Sequence, residues 1–385
     1  MENFDVIVVG AGIAGASTAF FLAERGIRTA LVEKTTPAGG PTGQSSAVTH
    51  AFYLMPELSQ LAIKGVETLR QVPKLTGEGP VVTEVGCMWA CGANAKQSFI
   101  EAARRINAAG SLMEVLSPTE IARHCPDINL DGIELAVWEP RYGYADPYGA
   151  TNALARGART RGAKLFLSTA VKQIVTQSGR VIGVELPGNV RLGADKVVVA
   201  AGPWTRPLIA AQGYNLPIWI ERHEMAVLEA GGRAREFMPC SWVDDLRCNY
   251  SRPDGDRVIL IGVWAGGGTG VRNEQVKRPE RIEDPEIFNT GVSDEESADI
   301  LSTLLPRFPK LVELGIRPGY AALYDMSPDD NPIIGPVPGL TGLYVVCGSS
   351  GHGFKMGAGV GEEVARLVAT GSAPLLAPFR VDRFA

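Results

Sequence analysis

Three glycines at fixed spacing are the first residues whose types could do chemistry. Gly10, Gly12 and Gly15 form a GxGxxG set, and an acid, Glu33, ends the next apolar run. Gly10 permits a tight turn, Gly12 lets the backbone approach a pyrophosphate, and Gly15 lets a helix pack close to a strand. The N-terminus of that helix offers unpaired N–H groups and the positive end of its dipole to phosphate. Glu33 can accept hydrogen bonds from an unphosphorylated ribose diol. The motif by itself does not separate FAD from NAD.

A second glycine-rich stretch, residues 348–356 (GSSGHGFKM), lies near the other end of the chain. Its backbone amides can converge on an electron-rich group. A plain NAD enzyme has no obvious need of such a loop so far from the first. A flavin does, because its ring must be held as well as its pyrophosphate. The expected cofactor is FAD.

The elements that must position these loops can be read from the same sequence. Residues 4–9 (FDVIVV) are a β-branched apolar run and read as a buried strand. Residues 16–25 have helix composition, Gly26 ends that helix, and residues 29–32 read as the next strand. Residues 343–347 (LYVVC) read as a buried strand, with a helix expected from about 357 to 369 and Gly371 beyond its end. In the middle of the chain, residues 218–229 alternate like a half-buried strand and residues 258–264 form a strong one. Arg252, Pro253, Asp254, Gly255 and Asp256 read as the turn joining Tyr250 to the latter, and residues 266–286 as a loop near a site mouth or a surface excursion. The expected class is α/β: a discontinuous Rossmann-like FAD-binding domain and a strand-rich domain of mixed or antiparallel sheet.

Composition narrows the partners. The 37 basic and 42 acidic residues give a net charge of −5. That balance argues against nucleic acid or an anionic membrane, which reward concentrated basic surface. No apolar run is long enough for a transmembrane segment. The six cysteines are scattered; Cys87 and Cys91 come nearest to a motif, with no second pair or nearby histidine to complete a metal site. Reduced thiols and the absence of a signal-like start point to the cytoplasm.

Taken together, VIVVGAGIAGAS near the start and SSGHGFKMGAGVGEEVARLV near the end resemble the D-amino-acid oxidase superfamily, in the branch of sarcosine oxidases, glycine oxidases and related amine dehydrogenases. Two further segments agree: residues 197–205 (VVVAAGPWT), similar to the family's strand and turn beside the flavin, and residues 324–335 (YDMSPDDNPIIG). The resemblance implies a FAD-binding domain of residues 1–80, 145–215 and 320–385, and a substrate domain of 81–144 and 216–319. It groups with the cofactor Gly10, Ala11, Gly12, Ile13, Ala14, Gly15, Glu33, Lys34, Gly43, Ser45, Ser46, Val171, Ala200, Ala201, Gly202, Trp204, Gly351, His352, Gly353, Phe354, Lys355 and Met356. Lys355 stands where sarcosine oxidases carry a lysine that helps anchor the substrate carboxylate. His352 lines the flavin or shapes its loop. His50 lies on the segment passing over the flavin and is expected to be packed or hydrogen-bonded.

The expected reaction is dehydrogenation of a small amine or amino acid, with hydride passing to flavin N5 and the imine hydrolysing afterwards. No protein base is strictly required, since a neutral amine can donate the hydride. Tyr250, Trp264, Tyr324 and Lys355 are the expected pocket residues, with Arg222 and His223 behind them. Two departures from the family matter. The position of the flavin-linking cysteine of single-chain sarcosine oxidases is Ala322, so FAD is expected to be non-covalent. The strand at 258–262 lacks the lysine those oxidases use toward oxygen, which leaves the acceptor open between oxygen and another carrier. Rival readings are a flavoenzyme for a non-amine substrate such as a hydroxy acid, a flavin subunit that needs a partner chain, and an NAD-only dehydrogenase, which a yellow protein would exclude.

Overall fold

Alternation along the first strand sets the architecture of the cofactor side. In Glu2–Val9, Val6 and Val8 enter one apolar cluster and Ile7 and Val9 another, so both faces of the strand are buried. The computed structural model describes residues 2–264 and 276–384. Glu2–Val9 lies between Thr29–Val32 and Arg191–Val199, parallel to both, and Arg191–Val199 also runs parallel to Leu343–Cys347. The resulting eight-stranded sheet places the C-terminal ends of its central strands together. That edge is where an open α/β sheet binds ligands.

Helices Ile13–Glu24, Pro56–Arg70 and Gly353–Thr370 cover one face of this sheet, and glycines let them approach closely. A Cβ on Gly357 would lie 2.4 Å from Ile13 Cγ2, and one on Gly361 would lie 2.5 Å from Ser17 Cβ. The Ser17 hydroxyl donates to the Ala358 carbonyl at 2.6 Å across the same contact. A Cβ on Gly65 would lie 2.1 Å from the Lys355 carbonyl, so Pro56–Arg70 packs directly against the turn that carries Lys355. The C-terminal helix starts at Gly353 with His352 as N-cap, four residues earlier than its composition suggests. Its glycines are poor helix formers, but the packing they permit outweighs their propensity.

The second sheet has ten strands and is antiparallel apart from one pair, Ser241–Asp244 beside Cys87–Cys91. Its longest ladder joins Trp219–Glu229 to Gly315–Met326. Residues 320–326, grouped with the cofactor side from the sequence, are hydrogen-bonded in this sheet, because Tyr320 to Met326 stay in register with Met225 to Trp219. The proposed turn at 252–256 is also shorter than expected. Arg252, Pro253 and Asp254 continue strand Asn249–Asp254 and pair with Leu260, Ile259 and Val258, leaving Gly255 (φ 56°) to begin the reversal. Of the loop read at 266–286, residues 266–275 lie outside the described residues, and Glu280–Ile282 is a short strand against Ile220 to Arg222. A buried ion pair, Arg307 Nε to Asp244 Oδ2 at 2.8 Å, ties the second sheet to the carbonyls of Asn129 and Asp131. All six cysteines are buried and none is in a disulfide. Among the described residues no helix is long and apolar enough to cross a membrane.

Candidate active site

A groove of about 670 Å³ follows the C-terminal edge of the first sheet. Gly10, Gly12, Ile13, Ala14, Glu33, Lys34, Ser45, Val171, Ala200, Ala201, Gly202, Trp204, Gly351, Gly353 and Phe354 all line it. The glycine cradle fits the pyrophosphate reading. A Cβ on Gly10 would lie 2.4 Å from the Ala200 carbonyl oxygen with φ at 97°, and one on Gly15 would lie 1.9 Å from the Gly10 carbonyl oxygen. Gly12 N-caps the helix without any side-chain cap, leaving amides directed at the groove. Glu33 Oε2 accepts from the Ala11 N–H at 2.8 Å, which fixes the acid at the groove wall.

Four residues named with the cofactor stand behind this surface. Ala11 is fully buried and acts through its N–H on Glu33. Gly15 supports the turn from beneath, Gly43 packs against Tyr148 and the Ala38 carbonyl, and Met356 is buried in the helix core. Thr42 was not singled out from the sequence; its Oγ1 accepts from the Ile13 N–H at 3.2 Å at the mouth of the helix. The signal was a hydroxyl between Gly40 and Gly43, placed to meet a helix N-terminus.

The groove opens into a second cavity of about 1300 Å³. Ser45, Tyr324, Gly351 and Phe354 line both, and they mark the junction. Ser46, His50, His223, Tyr250, Trp264, His352 and Lys355 line the cavity alone. Arg222 does not reach it. Its guanidinium is held by the Asn289 and Gly291 carbonyls and by Glu224 and Glu296.

Aromatic pairs build the cavity wall. His223 stacks on Tyr324 with centroids 4.0 Å apart, and Tyr250 stacks on Trp264 at 6.2 Å. The Tyr250 and Tyr324 hydroxyls meet at 3.3 Å. On the opposite side, Tyr53 OH meets His352 Nδ1 at 3.0 Å, and His50 packs between Tyr53 and Trp89 at 4.9 Å from each. Tyr53, Trp89 and Trp219 also escaped the sequence reading, since lone aromatics in apolar stretches carry no local signal of facing a pocket.

The electrostatics leave one principal cation in this part of the cavity. Burial brings the Lys355 ammonium down to about 8, with Cys87 and Glu139 opposing the shift, so it remains mostly charged at neutral pH. Its Nζ lies 5.9 Å from the Tyr53 ring centroid, and among the described residues no carboxylate pairs with it. Burial and then Lys355 push His352 down to about 3. Burial, Lys355 and His352 hold His50 well below the usual imidazole range. Both rings are neutral. Glu139, fully buried, is pushed up to about 8 by burial, against N–H donors from Ala51 and Phe52. The nearby Lys355 charge also opposes the rise, and a value of about 8 leaves Glu139 mostly protonated at neutral pH. Asp325, at the groove, is pushed up to about 6 by burial, opposed by the amides of Gly348, Asp325 itself and Ser349. It holds the turn of the second glycine loop through the Gly348 N–H at 2.7 Å.

A narrow groove with a phosphate cradle, meeting an aromatic cavity with a buried cation, suits a flavin enzyme for a carboxylate substrate. Among the described residues no cluster of His, Cys, Asp or Glu could hold a metal ion.

Comparison with known proteins agrees. The family described as "DAO: FAD dependent oxidoreductase" matches residues 5–367. Monomeric sarcosine oxidase of Bacillus sp. (strain B-0618) is 27% identical over 375 residues, covering 96% of this chain and 93% of that protein. N-methyl-L-tryptophan oxidase of Yersinia pestis (strain Pestoides F) is 26% identical, covering 99% and 100%. Among solved structures, L-proline dehydrogenase from P. horikoshii superimposes with a TM-score of 0.87 at 24% identity, covering 100% of this chain and 98% of that one. Glycine oxidase from Geobacillus kaustophilus gives 0.82 at 22%, covering 100% and 99%. The match over nearly the whole chain, on a fold whose glycine cradle accepts a dinucleotide, establishes that this protein belongs to the DAO family of FAD-dependent oxidoreductases.

Proposed function

We propose that this protein dehydrogenates an amino acid, primary or N-substituted, that enters the cavity with its carboxylate toward Lys355. The observation that carries the reading is the buried Lys355 ammonium, without a carboxylate partner among the described residues, beside the junction of groove and cavity. An anionic substrate group would gain a charge-assisted hydrogen bond there in place of bulk water. FAD supplies the hydride acceptor when bound along the groove, and Ala322 leaves no thiol for a covalent link. The groove residues Gly10, Gly12, Ala14, Glu33 and Gly351 would hold it, with Gly353 and Phe354 at its ring end.

The stacked pairs His223–Tyr324 and Tyr250–Trp264 would hold the substrate's amine and side chain and exclude water. The relatives act, by their names, on sarcosine and N-methyl-L-tryptophan, which bracket a wide range of side-chain size. A cavity of about 1300 Å³ has room for either. The electron acceptor is oxygen or another carrier, and buried thiols outside any disulfide suit the cytoplasm.

The test is to mix the purified protein anaerobically with glycine, sarcosine, L-proline, D-amino acids and N-methyl-L-tryptophan and follow the flavin absorbance. Bleaching by one or more is the expected result. Bleaching by hydroxy acids alone would refute the amine reading.

A further inference from the structure

Binding of FAD along the groove accounts for its glycine cradle but not for a lining segment that comes from the second sheet. Residues 283–290 run between strands Glu280–Ile282 and Gly291–Val292 of the second sheet. Glu286 and Phe288 from this segment face the groove opposite Glu33 and Ala200 of the first sheet. The segment is fixed at its base. Arg222, itself 3% exposed, donates to the Asn289 carbonyl at 2.8 Å and the Gly291 carbonyl at 2.6 Å. The Thr290 carbonyl accepts the Ala321 N–H at 2.8 Å.

The other end of the segment reaches the cofactor sheet. Glu286 Oε1 accepts from Lys34 Nζ at 2.6 Å and from Trp204 Nε1 at 2.6 Å. Lys34 Nζ lies 3.7 Å from the centroid of the Trp204 ring, so the three side chains close a triangle. Lys34 follows Glu33, the ribose-facing acid, and Trp204 follows the turn at Ala200, Ala201 and Gly202. The triangle therefore spans the adenosine half of the groove, away from the Lys355 cavity.

We propose that Glu286, Lys34 and Trp204 form a cofactor-retaining clasp, contributed from both sheets, which must open before FAD can leave. The proposal rests on the FAD-binding reading of the groove. An isolated surface ion pair contributes little to stability. This one combines two charge-assisted hydrogen bonds with a cation–π contact, and it resists a local opening rather than global unfolding. A non-covalent flavin would be retained by such contacts together with the glycine cradle.

The experiment measures FAD release from the yellow holoenzyme, by the rise in flavin fluorescence after mixing with excess apo-flavoprotein as scavenger. Glu286→Ala should release FAD about five- to thirtyfold faster. Glu286→Gln should fall between, because its amide still accepts from Trp204 but carries no charge. Raising the salt from about 50 mM to about 500 mM should speed release from the unsubstituted protein more than from Glu286→Ala, which lacks the screened pair. The Glu286 side chain is 60% exposed, so its loss leaves the fold intact, which an unchanged melting midpoint would verify. Equal release rates in the two proteins, with the same response to salt, would overturn the clasp while leaving FAD binding untouched. A protein that takes up no FAD at all would instead contradict the groove reading.

Discussion

The groove and the cavity meet at Ser45, Tyr324, Gly351 and Phe354, yet they are built on opposite principles. The groove is made largely of backbone and small side chains, and its geometry is set by the missing Cβ atoms of Gly10 and Gly15. It meets a ligand whose pyrophosphate never varies. The cavity is walled by large side chains drawn from distant stretches, among them Tyr53, Trp89, Tyr250, Trp264 and Tyr324. Around Lys355, burial keeps His50 and His352 neutral and raises Glu139 to about 8, while Lys355 stays mostly charged. One region is specified by local sterics, the other by long-range burial.

This contrast can be broken or sharpened by substitution. The largest effect should come from Gly15→Val, whose Cβ would fall 1.9 Å from the Gly10 carbonyl oxygen. The strand-to-helix turn cannot close around it, so the protein should purify without flavin absorbance. Retention of FAD would mean that the cradle is not set by sterics. Next is Arg307→Met, which leaves the fully buried Asp244 carboxylate without its partner. Stability should fall by roughly 3–5 kcal/mol, read from the denaturant midpoint. The loss lies in the second sheet, so the flavin spectrum of the folded fraction should be unchanged.

A smaller effect separates burial from charge. Glu139 is held up to about 8 in the folded protein, against an ordinary carboxyl value of 4.5. A carboxyl raised on folding contributes stability that is full below its unfolded value and is lost as pH rises through its folded value. The melting temperature of Glu139→Gln relative to the unsubstituted protein should therefore climb between pH 4.5 and 8 and level off above. A difference that is flat across that window would show that Glu139 is ionised in the fold.

The same contrast explains what could be read from the sequence. The strands at 29–32 and 343–347, the glycine cradle, Glu33 and the second glycine loop depend on short-range pattern, and the structure has all of them in place. Lys355 could be singled out because it belongs to that loop. Tyr53 and Trp89 could not, because nothing near them in sequence distinguishes a side chain facing a cavity from one in the core. Glu139 does leave a trace: it ends the otherwise apolar strand Leu135–Glu139, where an acid is out of place without a buried role. Arg222 shows the opposite error. Named behind the pocket residues, it is instead held by two carbonyls of a neighbouring segment and by Glu224 and Glu296.

The central claim is that Lys355 receives the substrate carboxylate beside the flavin. The direct measurement is the binding of benzoate to the holoenzyme, followed through the flavin spectrum in the unsubstituted protein and in Lys355→Met across pH. Benzoate carries a carboxylate and no amine, so the ammonium is the group whose titration should govern its affinity. From about pH 6, where benzoate is fully ionised, affinity should be constant up to pH 8 and fall above it as Lys355 loses its proton, given a value of about 8. Lys355→Met should bind at least about tenfold more weakly at neutral pH, with no such fall and with FAD affinity retained. Equal affinity and the same pH profile in both proteins would contradict the account.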